Sequence, residues 1–297
     1  MKRIIFTTFA LLLSLLCINE SLAQELTFSK ETFSDGNINL PYRKATIPGF
    51  GDNASLVIYL HGGSSKGNDN ETQMQEPGIN AISTWLVNNS RKAIMLVPQC
   101  PSNLSWLGTM QDVLVHLLQS YIDRGVVDAN KVYIFGGSMG GTGTWNMLSN
   151  HPDFFAAAMP VAGNPTGLNA EAISKTPLYT VMGTADRIMK LSNVEVFLKD
   201  MDTYNAAYMF DIENGWTHED VCKNSYTDKR LNWVFKHTKD TETSATSVAN
   251  SKADIANVAW YAISGEKLTS APKQKGVYIK QTVYCNGSCT SEKSIIH

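Results

Sequence analysis

Six short apolar runs recur between residues 55 and 210, and this series limits the fold more than any other feature of the sequence. They occupy 55–60, 92–97, 131–135, 155–161, 178–182 and 207–210, and His61-Gly62-Gly63, Pro98, Gly136 and Gly183 stop four of them abruptly. Runs of this length, rich in Val, Ile, Leu, Ala and aromatic residues and closed by turn formers, predict strands buried on both faces. The stretches between them carry apolar residues at three- and four-residue spacing. In 111–124, Val113, Leu114, Leu117, Leu118, Tyr121 and Ile122 fall on one helical face, and 80–87, 139–149, 193–201 and 229–237 repeat the pattern less cleanly. Buried strands alternating with amphipathic helices predict an α/β fold built on a mostly parallel, doubly wound sheet. Residues 40–47, ahead of the series, predict an antiparallel hairpin leading into it. With 43% hydrophobic residues the chain can fill such a core.

The two ends read differently from the middle. Lys2 and Arg3 precede an apolar run from 4 to 18, and Ser21-Leu22-Ala23 offers small residues at a cleavage site. Residues 1–23 therefore predict a secretory signal peptide cut before Gln24, and a location outside the cytoplasm, whether secreted, periplasmic or at the cell envelope. The run is about 15 residues, short of the roughly 20 that span a bilayer, and no membrane span is expected elsewhere. The catalytic-size unit is placed at 24–240. Residues 241–251, rich in Thr, Ser, Ala and Asn, read as a linker. Residues 252–297 contain short strand-like pieces at 258–263, 276–284 and 294–296 and predict a small β-rich appendix. A balance of 25 basic against 27 acidic residues gives no general reason to bind nucleic acid.

Export would leave four cysteines, Cys100, Cys222, Cys285 and Cys289, in an oxidising compartment. They allow three pairings. Cys285 and Cys289 bracket an Asn-Gly turn and fit a local bridge. Cys100 and Cys222 would then pair across two loops at the C-terminal edge of the sheet, or remain as two unpaired thiols. Neither spacing fits a zinc site, and no metal is expected.

The third apolar run passes directly into Gly136-Gly137-Ser138-Met139-Gly140-Gly141 and a predicted helix. Gly-x-Ser-x-Gly between a strand and a helix is a nucleophile elbow, whose tight turn lifts the serine hydroxyl above the sheet. Serine is a weak nucleophile without a base, and the base needs an orienting acid. Asp186 follows the run at 178–182, and His218 lies in Gly215-Trp216-Thr217-His218, read as a loop after the run at 207–210. Both belong to the edge that carries Ser138. His61 is read as structural, its ring bonded to loop backbone beneath an oxyanion hole formed by the N–H groups of Gly63 and Met139. Trp106 and Trp216 are candidates for stacking on substrate, with burial as the alternative for each.

These segments resemble the α/β-hydrolase superfamily, and more closely the secreted esterases of the polyhydroxybutyrate-depolymerase-like, feruloyl-esterase-like and predicted-peptidase group. The resemblance rests on Leu40-Pro41-Tyr42-Arg43, Tyr59-Leu60-His61-Gly62-Gly63, Val97-Pro98-Gln99-Cys100, Gly136 to Gly141 with Gly143-Thr144-Trp145, His151-Pro152-Asp153-Phe154-Phe155, and Gly183-Thr184-Ala185-Asp186. It implies Ser138 as nucleophile, Asp186 as acid and His218 as base, with no cofactor. Tyr261-Ala262-Ile263-Ser264-Gly265, the segment from Lys275 to Lys280 and Lys293-Ser294-Ile295-Ile296 resemble the C-terminal sorting domain of the Bacteroidetes type IX secretion system, which implies secretion machinery as a partner. The expected activity is hydrolysis of small-molecule or polysaccharide-linked carboxylic esters. The alternatives are a serine peptidase of prolyl-oligopeptidase type and a binding protein with a vestigial site.

Overall fold

The computed structural model describes residues 26–36, 38–239, 255–262, 267–284 and 289–296. The expected signal peptide at 1–23 and linker at 241–251 lie outside the described residues, as does Cys285. The chain divides into two compact units, Met1–Asp240 and Thr241–His297, each described by itself below. No helix among the described residues is long and apolar enough to cross a membrane.

In the larger unit, β1 (Ser29–Ser34), β2 (Asn39–Ile47) and β3 (Phe50–Leu60) are followed by α1 (Pro77–Asn88), β4 (Arg91–Pro98), α2 (Thr109–Asp123) and β5 (Val127–Gly137). Then come α3 (Met139–Asn150), β6 (Ala157–Val161), α4 (Ala170–Ser174), β7 (Leu178–Gly183), α5 (Leu191–Asp202), β8 (Tyr208–Glu213), α6 (His218–Asn224) and α7 (Asp228–Phe235). The strands form one eight-stranded sheet in the order β1-β2-β4-β3-β5-β6-β7-β8. From β4 to β8 all neighbours are parallel, whereas β1–β2 and β2–β4 are antiparallel, so the leading hairpin of the sequence reading is present.

The apolar runs are nearly continuous because both faces of the sheet are covered. Along β3, Leu56, Ile58 and Leu60 join one buried layer with side chains of α2, α3 and α5. Val57 and Tyr59 point the other way, into a layer with α1 and α7. In β5, Val132 and Ile134 alternate in the same manner with Tyr133 and Phe135. Pro77 opens α1 at a position where the missing N–H has no helical partner to lose. The chain runs outward from β3 to β4 and then crosses back to β5 on the other side. Loops leaving the carboxyl ends of β3 and β5 therefore meet at a topological switch point, the usual location of a site in such sheets.

The smaller unit is a four-stranded antiparallel sheet in the order β10-β9-β11-β12, with β9 at Ile255–Ala262, β10 at Lys267–Leu268, β11 at Gly276–Tyr284 and β12 at Cys289–Ile296. Among its described side chains only Ala259 is buried.

Candidate active site

Ser138 stands between the last residue of β5 and the first turn of α3 with φ 58° and ψ −117°. Left-handed φ is costly for a residue with a side chain, and such strain persists only where the surroundings enforce it. Backbone contacts do so here. A Cβ on Gly140 would lie 1.8 Å from the Leu60 carbonyl oxygen, and one on Gly136 would lie 2.4 Å from the Gly140 oxygen. The first helical turn can approach the sheet only because both positions lack side chains. Ser138 N–H donates to the Val161 carbonyl at 3.0 Å, and its own carbonyl accepts from Thr142 N–H at 2.9 Å.

The other two predicted residues reach this hydroxyl. His218 Nδ1 lies 2.8 Å from Asp186 Oδ2, and His218 Nε2 lies 2.7 Å from Ser138 Oγ. A carboxylate only accepts, so Nδ1 carries the proton; in the uncharged ring Nε2 is then the acceptor and the serine hydroxyl donates to it. The Asp186 side chain is fully buried, and its Oδ1 accepts from the Ile188 and Met189 N–H groups at 2.8 Å each. The loops bearing acid and base are joined directly: Ala185 N–H donates to the Trp216 carbonyl and Thr184 N–H to that of Glu213, both at 3.0 Å.

The loop expected around His218 is in fact a helix start. His218 is the first residue of α6, and Thr217 and Asp220 form a reciprocal capping box that sets the imidazole at the helix N-terminus. The Thr-x-x-Asp signal was legible in the sequence but lies within a helix of only 7 residues, too short to show a periodic apolar face.

Beneath the elbow, His61 is fully buried. Its Nδ1 donates to the Gly62 carbonyl at 2.6 Å and its Nε2 accepts from Cys100 N–H at 2.9 Å, the structural role read from the sequence. Burial pushes its pKa down to about 4, so the ring stays neutral and can serve as an acceptor. Gly63 begins a single 3₁₀ turn, Gly63–Ser65, and is exposed. The N–H groups of Gly63 and of Met139, the first residue of α3, make no hydrogen bond within the chain among the described residues. Both are free to donate to a bound group.

The geometry agrees with what comparison with known proteins finds. The prolyl oligopeptidase family matches residues 108–173, a span that includes the elbow. Dipeptidyl aminopeptidase BIII of Pseudoxanthomonas mexicana is 27% identical over 173 residues, covering 54% of this chain and 22% of its own length. The bifunctional acetylxylan esterase/xylanase XynS20E of Neocallimastix patriciarum is 28% identical over 95 residues, covering 32% of this chain and 14% of its own length. The chain thus spans less than a quarter of either relative. Among solved structures, a thermostable esterase superimposes with a TM-score of 0.66 at 24% identity, over 71% of this chain and 63% of that one. The feruloyl esterase module from Clostridium thermocellum, complexed with sinapinate, superimposes with a TM-score of 0.57 at 17% identity, over 71% of this chain and 88% of that one. The chain has the α/β-hydrolase fold.

In this α/β-hydrolase fold two expectations from the sequence need correction. Trp106 cannot stack on a substrate: it is fully buried, its ring is edge-on to His61 with centroids 5.0 Å apart, and its Nε1–H donates to the His61 carbonyl at 2.9 Å. Nor do Cys100 and Cys222 form a bridge; both are free thiols. Cys100 belongs to the apolar layer on one face of the sheet, and Cys222 packs against the layer on the other. Burial pushes the two thiols up to about 11 and about 12 respectively, so both remain protonated, and Cys222 Sγ lies 4.0 Å from His218 Nε2. The Cys285–Cys289 pairing falls outside the described residues.

Trp216 is half-buried, with the Arg230 guanidinium 6.0 Å from its ring centroid. Arg230 also holds Asp211 at 2.8 Å and pairs with Glu213, tying α7 to the end of β8 just before the histidine. No local spacing in the sequence pointed to Arg230, because its partners lie 17 and 19 residues away. Among the described residues no three His, Cys, Asp or Glu side chains gather as metal ligands.

Proposed function

We propose that this chain is a serine hydrolase that cleaves carboxylic esters through an acyl-enzyme on Ser138. The observation carrying this reading is the continuous line Ser138–His218–Asp186, with both contacts under 3 Å, on the carboxyl edge of the sheet. Ser138 Oγ attacks the ester carbonyl as His218 Nε2 takes its proton, and Asp186 stabilises the imidazolium that forms. The N–H groups of Gly63 and Met139 receive the negative oxygen of the tetrahedral intermediate. His218 then protonates the leaving alcohol. Water, deprotonated by the same ring, releases the acid and restores the serine.

The esterase neighbours and the acetylxylan esterase relative support an ester, and an acylated polysaccharide is the substrate class they favour. A second reading is a serine peptidase, favoured by the prolyl oligopeptidase match and the aminopeptidase relative. Export rests on the sequence at 1–23, and engagement of a secretion system rests on the resemblance of 252–297 to a sorting domain. A fluorophosphonate probe is expected to label the protein and not its Ser138→Ala variant. Acetyl, feruloyl and short-chain aryl esters are expected to turn over at least a hundredfold faster than matched amides. Absence of labelling would remove the hydrolase reading, and faster amide cleavage would replace esterase with peptidase.

A further inference from the structure

The turn that carries Gly63 is held in place by side chains outside the triad. Gly62 is its N-cap residue and takes most of these contacts. Its carbonyl accepts from His61 Nδ1 at 2.6 Å and from Ser65 N–H at 3.2 Å, and its N–H donates to Glu76 Oε1 at 2.9 Å. The same carboxylate oxygen accepts from the Ser65 hydroxyl at 2.7 Å, so Glu76 clamps both ends of the turn. The Gly62 carbonyl and the Gly63 N–H belong to one planar peptide unit. The two bonds lie in that plane and point in opposite directions, so fixing the carbonyl aims the N–H. The clamp is close to the nucleophile: a Cβ on Gly62 would lie 3.4 Å from Glu76 Oε1 and 3.7 Å from Ser138 Cβ.

Two features argue that Glu76 is there for this turn. It occupies the N-cap position of α1, yet its side chain makes no capping bond and reaches back to the loop instead. It also forms no ion pair with a cation among the described residues. Its charge is felt nearby, adding to the burial that raises Tyr59, Tyr226 and Cys222. An unpaired negative charge beside a developing oxyanion opposes the reaction electrostatically. What this residue contributes must therefore come from the geometry of its hydrogen bonds.

We propose that Glu76 is a positioning residue of the oxyanion hole, clamping Gly62 and Ser65 so that Gly63 N–H points at the reacting oxygen; this rests on the serine-hydrolase reading above. The test compares p-nitrophenyl acetate with its thionoester in wild type, Glu76→Ala, Glu76→Gln and Ser65→Ala, because sulfur accepts weakly from an oxyanion-hole donor. For Glu76→Ala the oxoester kcat is expected to fall roughly 10- to 100-fold with KM within about twofold, and the thionoester kcat by less than about threefold. Glu76→Gln keeps an acceptor oxygen and is expected to lose only about three- to fivefold on the oxoester, as is Ser65→Ala, which removes one of the two clamping bonds. Amide hydrogen exchange at Gly62 should accelerate in Glu76→Ala while the unfolding midpoint stays near that of wild type. Equal losses on both substrates, or Glu76→Gln as impaired as Glu76→Ala, would overturn the proposal. If Glu76→Ala does not fold, the other two variants carry the same comparison. A wild type inert to esters and to fluorophosphonate would remove the hydrolase reading. Gly62 exchange would still decide the clamp, and an unchanged rate in Glu76→Ala would sink it.

Discussion

Ser138 is held at φ 58°, a conformation that costs a residue with a side chain about 1–3 kcal/mol. The strain sets its hydroxyl against His218, and the ring is oriented in turn by an Asp186 carboxylate that has two further backbone donors. In the proposed mechanism the three groups act as a unit, so their single deletions are expected to be unequal and not additive. Replacing Ser138 or His218 by Ala is expected to lower kcat by roughly four to six orders of magnitude, and replacing Asp186 by Ala one or two orders less. Steady-state kinetics on an activated ester checks this. An Asp186→Ala variant as active as wild type would take the carboxylate out of the mechanism. Cys222 is close enough to the imidazole to invite a nucleophilic role, yet a thiol raised to about 12 supplies almost no thiolate at neutral pH.

At the scale of elements, the elbow depends on how closely α3 approaches β3. The Gly140–Leu60 contact leaves no room for a methyl group, whereas a Cβ on Gly63 would meet nothing within 4 Å. Gly140→Ala must push strand and helix apart, at a cost of about 3 kcal/mol or more. For a domain of this size its melting temperature is expected to fall by roughly 6–12 °C. Gly63→Ala is expected to melt within about 2 °C of wild type. Thermal unfolding of the two variants decides the matter, and equal melting temperatures would mean that the close approach is not what builds the turn. The same packing explains His218. A capping box too short to read as a helix fixes the first residue of α6, while Arg230 of α7 holds the strand end that precedes it.

The molecule as a whole pays for a buried neutral histidine when the medium is acidified. His61 is lowered from 6.5 to about 4 by burial, so between those values the unfolded chain binds a proton that the folded one does not. Stability attributable to this group is fully present above the unfolded value and is lost as pH falls towards the folded one. His151 and His237 are shifted in the same direction, also chiefly by burial. Urea unfolding between pH 6.5 and 5 should therefore show stability falling with acid. His61→Asn should reduce the slope near pH 5 by about one proton, or roughly 1.4 kcal/mol per pH unit. A slope unchanged by that substitution would mean that His61 titrates normally in the folded protein.

What the sequence by itself determined are the properties that repeat locally. Strand runs closed by Gly or Pro, helical faces at three- and four-residue spacing and an elbow marked by two glycines follow from short-range sterics and from burial on both sheet faces. Ser138, Asp186 and His218 were legible for the same reason, because each follows a strand and every parallel strand ends on one edge. The tertiary structure alone decided which side chains are available at that edge. Trp106 and Cys100 look like loop residues in the sequence, but packing under His61 buries both. Cys100 and Cys222 share an edge yet lie against opposite faces of the sheet, a distinction that strand order cannot supply. Glu76 carries no motif at all. Its contacts are 11 and 14 residues away and exist only because α1 starts where the turn after β3 comes round to meet it, since a hydrogen bond depends on where the chain returns in space.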